Sequence, residues 1–321
     1  MVWVVVFALA IQLLTIAFVS LNTITITANS PLVNPWLAAL HSTTTGLYTS
    51  VIISFIVCLA IGLIFNSVVN TKEVLYKASY FPALFFFYLT HIFYNQSLLT
   101  PQLLAAIFCL LLVYRFLALD PRNIRTTPFL DMGFFSAAAF CVLPETIFFV
   151  PALIAALIIA GYLSFKNFLL LLTGMAIPIY FLGIGYYLAE GDLSTYAQLF
   201  TFNFLSIDVE RFSNFSTIDY SILGFIAFVL LLSIFDLQGN FAKNTIRTRR
   251  ALQLLTFFLI GSLATVFFST APVNQSLTLI ALPLSPFLSY YFLKTKKALW
   301  RETLFSLFFI ILIIAKIADS I

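Results

Sequence analysis

Long apolar runs separated by short polar links recur along the whole chain. A helix of roughly 17 to 25 apolar residues can cross the ~30 Å hydrocarbon core of a bilayer. On this pattern we predict spans at 2–20, 49–69, 78–94, 99–118, 129–143, 145–163, 168–189, 219–236, 252–269, 277–293 and 303–318. Because lipid offers the backbone no hydrogen-bond partner, helices are the expected form. The sequence therefore predicts an all-α, polytopic transmembrane bundle of about eleven spans, a single membrane domain over residues 1–321.

The stretch from Pro128 to Leu163 is too long for one span, since a single helix of this length would measure ~54 Å at ~1.5 Å per residue. Pro144 cannot donate a helical hydrogen bond, so we predict a helical hairpin over 129–163 that is broken there. Its first leg, 129–143, reaches only ~22 Å. Glu145 is therefore expected below the far headgroups, where an ionisable side chain is a functional candidate.

Composition narrows the class of protein. Hydrophobic residues make up 62% of the chain and charged residues 9%, against about 25% charged in soluble domains. Nucleic-acid binding has no support, because the net charge of +4 is explained by basic residues in short loops. The three cysteines lack metal-ligand spacing and are predicted to be core residues. Walker, dinucleotide, zinc and nucleophile-elbow motifs are absent, so no cofactor site is predicted and a metal is left undefined.

The basic residues predict the orientation in the membrane. If the links 70–77, 119–127, 164–167, 238–250 and 294–302 share one side, that side holds every basic residue except Arg211, Lys316 and Arg115, which ends span four. Basic short loops stay cytoplasmic, so the N-terminus is expected inside and the C-terminus outside, in the bacterial inner membrane. The outer side then carries Leu21–Tyr48, an uncharged loop with His41, and the longest loop, 190–218.

Two groups of residues are candidates for chemistry. His91, Gln102 and Glu145 are expected near one depth on the outer side, where a histidine and a carboxylate could serve as base and orienter or relay protons. The alternative is a set of hydrogen-bonded polar residues at headgroup level. In the outer loop, Asp208, Glu210 and Arg211 could bind a lipid-linked phosphate, with Arg211 on the phosphate, or simply form a solvated loop. Asp131 is expected to be structural, paired with Arg122 or Arg125 of the neighbouring link.

Four short motifs resemble an uncharacterised multi-pass inner-membrane family of Bacteroidota, catalogued as a domain of unknown function. They are Tyr114–Leu119, Phe129–Gly133, Phe165–Phe168 and Leu172–Tyr180. More distantly, the layout resembles integral-membrane glycosyltransferases and O-antigen polymerases that use polyprenyl-phosphate sugars at the outer face. The first resemblance implies no activity, and neither resemblance assigns a catalytic residue here.

Three functions follow as hypotheses. The first is an enzyme of envelope glycan assembly with Glu145 as acid or base, His91 as its companion and a polyprenyl-linked sugar as substrate. The second is a non-catalytic subunit or scaffold that binds other envelope membrane proteins. The third is a transporter, because the glycine- and proline-bearing spans at 168–189 and 277–293 could be mobile. The glycines and proline of the span at 168–189 also predict that it is kinked or closely packed.

Overall fold

The computed structural model describes residue 6 and residues 33–92, 98–119, 126–190, 217–240, 244–269, 273–294 and 298–318, and within these it is helical without a strand. The helices are α1 (Asn34–His41), α2 (Thr44–Thr71), α3 (Phe81–His91), α4 (Pro101–Leu117), α5 (Thr127–Val142), a 3₁₀ turn (Pro144–Phe148), α6 (Phe149–Ile159), α7 (Phe165–Glu190), α8 (Thr217–Asn240), α9 (Ile246–Phe268), α10 (Val273–Lys294) and α11 (Ala298–Ala318). The all-α prediction is confirmed for this part of the chain.

Five helices are long and apolar enough to cross a membrane: Thr45–Thr71, Phe165–Leu188, Thr217–Gly239, Ile246–Phe268 and Gln275–Lys294. Five shorter apolar helices, Phe81–His91, Pro101–Leu117, Thr127–Val142, Pro144–Ile159 and Glu302–Ile314, lie where the remaining spans after the first were predicted. The chain is thus a helical membrane protein, whereas the predicted first span at 2–20 lies outside the described residues.

Several interhelical contacts bring the predicted basic links to one end of the bundle, named the basic end below. Thr248 Oγ1 donates to the carbonyl of Glu73 at 2.8 Å, joining the start of α9 to the end of α2. The Tyr76 hydroxyl donates to the carbonyl of Leu293 near the end of α10. Arg250 reaches Tyr162 in the link before α7. The links 70–77, 164–167, 238–250 and 294–302 therefore lie at one end of the bundle, as the charge pattern predicted, whereas residues 120–125 of the fifth link lie outside the described residues.

The opposite end, named the Glu145 end, follows from the direction of each helix. Because α2 finishes at the basic end, its start lies at the Glu145 end, where the Ser50 hydroxyl accepts from the Leu99 amide at 3.1 Å just before α4. Similarly, α9 starts at the basic end and finishes at Ser269, which donates to Glu145 at 3.0 Å. The starts of α4 and α10 and the ends of α3, α5 and α9 consequently share one level.

The helical hairpin is confirmed, with its break at Pro144. The chain leaves α5 at Leu143, which has extended φ and ψ of −142° and 103°, and enters the 3₁₀ turn at Pro144. α6 then returns to the basic end. The second leg differs from the prediction of a helix over 145–163, because it opens as a 3₁₀ turn and ends at Ile159. The two legs pack against different partners: α5 against α4 and α7, and α6 against α9.

Two facing glycines allow α5 and α7 to pack very closely. A Cβ added at Gly133 would lie 2.1 Å from the carbonyl oxygen of Leu171, and one at Gly174 would lie 2.2 Å from that of Leu130. Such distances require glycine on both helices, as in membrane helix pairs held by small residues. Of the two expectations for the span at 168–189, close packing is therefore confirmed at Gly174.

α10 is the central helix, in contact with α3, α4, α8 and α9. Of the five long helices it has the lowest mean hydropathy, 1.4, yet 89% of its most apolar window is buried, against 17% for α7. Pro286 leaves the carbonyl of Leu282 without its helical donor, and Ser285 Oγ donates to that carbonyl at 3.3 Å instead. Polar side chains of α10 therefore make hydrogen bonds inside the bundle, which explains how a helix of low hydropathy can be buried.

One sequence prediction is wrong. Part of the predicted loop Leu21–Tyr48 is helical, because Pro35 lies in the first turn of α1 and α2 already begins at Thr44. Thr43 caps α2 by accepting a hydrogen bond from the Gly46 amide at 3.1 Å, which is the usual role of threonine at an N-cap.

Candidate functional site at the Glu145 end

Five buried polar side chains lie at the Glu145 end, in or beside five different elements, and two of them, Ser269 and Glu145, are hydrogen-bonded to each other. Their exposed fractions are all 3% or less, and each lies at or next to an element terminus. The residues are His91, Gln102, Glu145, Ser269 and Gln275, in or beside α3, α4, the 3₁₀ turn, α9 and α10 respectively. Polar side chains are rarely buried at membrane depth without a structural or functional reason, so this set forms the candidate site.

Glu145 is the only acidic residue of this set, and it is held by α9. Pro144 starts the 3₁₀ turn, and Glu145 follows in its first turn with 1% of its surface exposed. The Ser269 hydroxyl donates to Oε1 at 3.0 Å. Next to this contact, the rings of Phe148 and Phe268 stack with centroids 4.9 Å apart. Glu145 therefore bonds a neighbouring helix end, whereas a pure cap would bond only its own helix.

His91 is oriented by its own helix and by α2. Its ring stacks on Phe87 at 4.0 Å between centroids, and Nδ1 lies 3.1 Å from the Phe87 carbonyl oxygen. Because a carbonyl only accepts, Nδ1 carries the proton of the neutral ring and Nε2 is the acceptor. Thr90 Oγ1 lies 3.0 Å from Nδ1, and Cys58 Sγ lies 3.1 Å from Thr90 Oγ1. The ring is therefore fixed in orientation and tautomer.

Gln102 has the most unusual environment of the set. It lies in the first turn of α4, after the N-cap Thr100, with 1% of its surface exposed. Neither atom of its amide has a hydrogen-bond partner in the described protein. Each buried polar group without a hydrogen-bond partner lowers the stability of the folded protein by ~1–3 kcal/mol, and the amide has two such groups. The Gln102 amide can therefore form hydrogen bonds with a ligand or a buried water.

An apolar cavity of about 220 Å³ lies in the same half of the bundle. Its wall comes from the last turns of α3, the first half of α8, the second half of α9 and the first half of α10. The residues that best locate it are Leu89, Ile92, Leu223, Leu263 and Leu277. Such a wall suits a hydrocarbon chain. Glu145 is not among the described lining residues of this cavity or of the larger one at the basic end.

The remaining candidates are placed differently. The substrate-binding predictions Asp208, Glu210 and Arg211 lie outside the described residues. Asp131 pairs with Arg115, whose Nε lies 3.2 Å from Oδ2, across the α4–α5 contact at the basic end. This agrees with a structural role for Asp131, although the residues first considered as its partners were Arg122 and Arg125, which also lie outside the described part.

Ser269 and Gln275 were not among the site residues predicted from the sequence. Both belong to the short polar run between two apolar runs, Ser269 to Ser276, which carries two serines, a threonine, an asparagine and a glutamine. Polar residues concentrated in so short an outer link are the signal that could have found them. Among the described residues, no group of three or more His, Cys, Asp or Glu side chains could hold a metal ion.

Comparison with known proteins identifies the family. Residues 32–320 match the model of a family described as "Family of unknown function (DUF6427)". The chain belongs to this family. The DUF6427 match spans all of the described helices and so includes the whole candidate site. No curated protein and no solved structure matches the chain.

Proposed function

We propose that this DUF6427 protein is an enzyme of cell-envelope assembly that acts on a polyprenyl-linked sugar at the outer face of the inner membrane. The single observation that carries the proposal is the buried Glu145 carboxyl, which accepts a hydrogen bond from Ser269 at the end of the bundle where His91, Gln102 and Gln275 are also buried. The N-terminus is proposed to be cytoplasmic and the C-terminus extracytoplasmic, with the Glu145 end outside.

Glu145 is assigned the role of proton acceptor. As a base it would remove the proton from an acceptor hydroxyl, whose oxygen then bonds the sugar carbon while the bond from that carbon to the polyprenyl phosphate breaks. His91, with Nε2 as its acceptor atom, would relay or hold that proton. Gln102 would donate to and accept from sugar hydroxyls, which supplies the partners that its buried amide lacks in the protein.

The remaining substrate contacts are assigned by matching the apolar and charged parts of the protein to those of the substrate. The apolar cavity beside the Glu145 end has the character required for part of a polyprenyl chain. Arg211, with Asp208 and Glu210, is assigned to the phosphate–sugar region from the outer loop. Cysteine labelling in intact cells tests the orientation: positions in 200–215 should react from outside and positions in 243–250 should not.

A second candidate function, a non-catalytic subunit or scaffold, has one observation in its favour. The contact between Glu145 and Ser269 joins the hairpin tip to the end of α9. On this hypothesis the carboxylate serves to hold the two elements together, and the protein offers its surface to other envelope membrane proteins.

Paired variants separate the two functions. Glu145→Gln keeps the shape and removes the ionisable group, whereas Ser269→Ala removes the hydrogen bond and keeps the carboxyl. An enzyme should lose the dependent envelope glycan with Glu145→Gln at normal abundance and melting temperature, and keep most of it with Ser269→Ala. A scaffold should show similar losses of stability in both variants and a normal glycan profile per folded molecule. Unchanged glycans in a Glu145→Gln strain that depends on this gene would end the catalytic proposal.

A further inference from the structure

A larger cavity lies at the basic end, away from the candidate site. It has a volume of about 710 Å³ and is walled by the ends of α2 and α4, the link before α7 and the start of α9. Three cationic side chains, Lys72, Arg247 and Arg250, line it together with the Tyr162 ring. No carboxylate is present among its described lining residues, so the described wall carries positive charge only.

Helix termini hold these cations in place. α2 ends in a turn in which the Glu73 amide donates to Asn70 and the Val74 amide donates to Val69, at 3.2 and 3.0 Å. This is the Schellman arrangement, and it places Lys72 at the C-cap. Thr245 caps the start of α9 by accepting from the Thr248 amide at 3.2 Å. Arg247 and Arg250 therefore project from the first turns of α9, whose free amides add positive potential.

Tyr162 fixes the orientation of Arg250. A second Schellman turn, with Gly161 at φ +73°, ends α6, and in it the Tyr162 amide donates to the Leu157 carbonyl at 2.9 Å. The Tyr162 hydroxyl accepts from the Arg250 guanidinium at 3.1 Å. A phenol oxygen leaves most of the five guanidinium donors available for an anion. The arginine is thus positioned without being neutralised.

We propose that this cavity binds a phosphate-bearing ligand, with its phosphate between Lys72, Arg247 and Arg250. Arginine matches phosphate oxygens in bidentate geometry, and basic pockets between membrane helices are suited to anionic lipid headgroups. The apolar part of the wall, Phe116, Leu117, Leu119 and Ile246, would lie against the carbon chain or glycerol of an amphiphile. An anionic phospholipid is therefore the expected source of the phosphate, ahead of free phosphate.

The test uses the purified full chain in neutral micelles, titrated with phosphatidylglycerol, with phosphatidylcholine and separately with pyrophosphate, and melting temperature as the readout. Phosphatidylglycerol should raise the melting temperature saturably, and phosphatidylcholine should not. Arg247→Gln should raise the half-saturating concentration roughly tenfold, as expected for one charge-assisted contact. Arg250→Gln should raise the half-saturating concentration by a similar factor. If Arg250→Gln folds poorly, Arg247→Gln still tests the proposal, because Arg247 is exposed.

Lys166→Gln is the matched control, because it removes one exposed positive charge at the same end from outside the described lining of the cavity. It should titrate like the unmodified protein. A response to phosphatidylglycerol alone identifies a lipid headgroup, and an additional response to pyrophosphate identifies a site that also takes free phosphate. Both results support the proposal. No saturable response to either anion, or equal losses in Lys166→Gln and Arg247→Gln, overturns it.

Discussion

Replacing Gly133 or Gly174 with alanine should destabilise the protein sharply, because both glycines lie where α5 and α7 cross. The new Cβ would lie 2.1 or 2.2 Å from a backbone carbonyl oxygen of the facing helix, whereas carbon–oxygen contacts between helices are ~3.3–3.6 Å. The helices would have to separate by ~1.2 Å. A backbone oxygen cannot rotate away as a side chain can, so the upper end of the ~1–3 kcal/mol range for overpacking applies.

The net change in unfolding free energy is the overpacking penalty minus the gain from the higher helix propensity of alanine. Alanine in a helix interior is worth ~1 kcal/mol over glycine, which leaves a destabilisation of about 2 kcal/mol for each single variant. The double variant should lose clearly less than the sum, because a separation forced by one Cβ also makes room for the other. Gly185→Ala is the control on α7, since nothing lies within 4 Å of its added Cβ.

The assay is unfolding of the purified protein in a fixed detergent, followed by tryptophan fluorescence. Gly185→Ala should be neutral or slightly stabilised, by up to ~1 kcal/mol. If Gly133→Ala and Gly174→Ala shift stability as Gly185→Ala does, or if the two losses simply add, the two glycines do not hold this crossing together.

Two further predictions concern single residues at opposite ends. Glu73 has a φ of +53°, so Glu73→Gly should stabilise the protein by about 1 kcal/mol in the same unfolding assay, and Glu73→Ala, which keeps the Cβ, should give no such gain. Burial lowers the pKa of His41, outside the long helices, below its ordinary value of 6.5. The unfolded chain then binds the proton more tightly, so stability should fall as the pH drops through ~6.5, with a flatter profile in His41→Gln; identical pH profiles for the two proteins would contradict this.

Much of the arrangement could be predicted because single residues have strong local effects. Pro144 cannot continue a helix, and the hairpin breaks there. The basic links share one end because short basic loops remain on one side of a membrane. The levels of His91, Gln102 and Glu145 followed from counting residues along apolar runs. Each of these inferences needs only the chain itself and the thickness of a bilayer.

The sequence does not show which helices pack against each other. Lipid and protein interior are both apolar, so similar hydropathies can accompany different burial: α7, at 2.1, is 17% buried in its apolar window, and α9, at 2.0, is 56% buried. The contact between Ser269 and Glu145 joins residues 124 positions apart, and no periodicity reports such a pairing. Gln102 was chosen for its depth, whereas its lack of partners becomes visible only once the surrounding helices are in place. Gly133 likewise gave no sign of facing Gly174.

The position of α10 has a consequence for biogenesis. A segment with a mean hydropathy of 1.4 gains least from lipid among the five long helices, and it carries buried polar residues that prefer partners on other helices. Four of its neighbours, α3, α4, α8 and α9, precede it in the chain and so leave the ribosome first, and only α11, which Phe292 contacts, follows among its described partners. We expect α10 to enter the membrane by docking onto these helices, and its isolated segment should insert least efficiently of the five in a segment-insertion assay. The helix with the lowest hydropathy is thus synthesised after four of the helices it packs against, and these can assist its insertion.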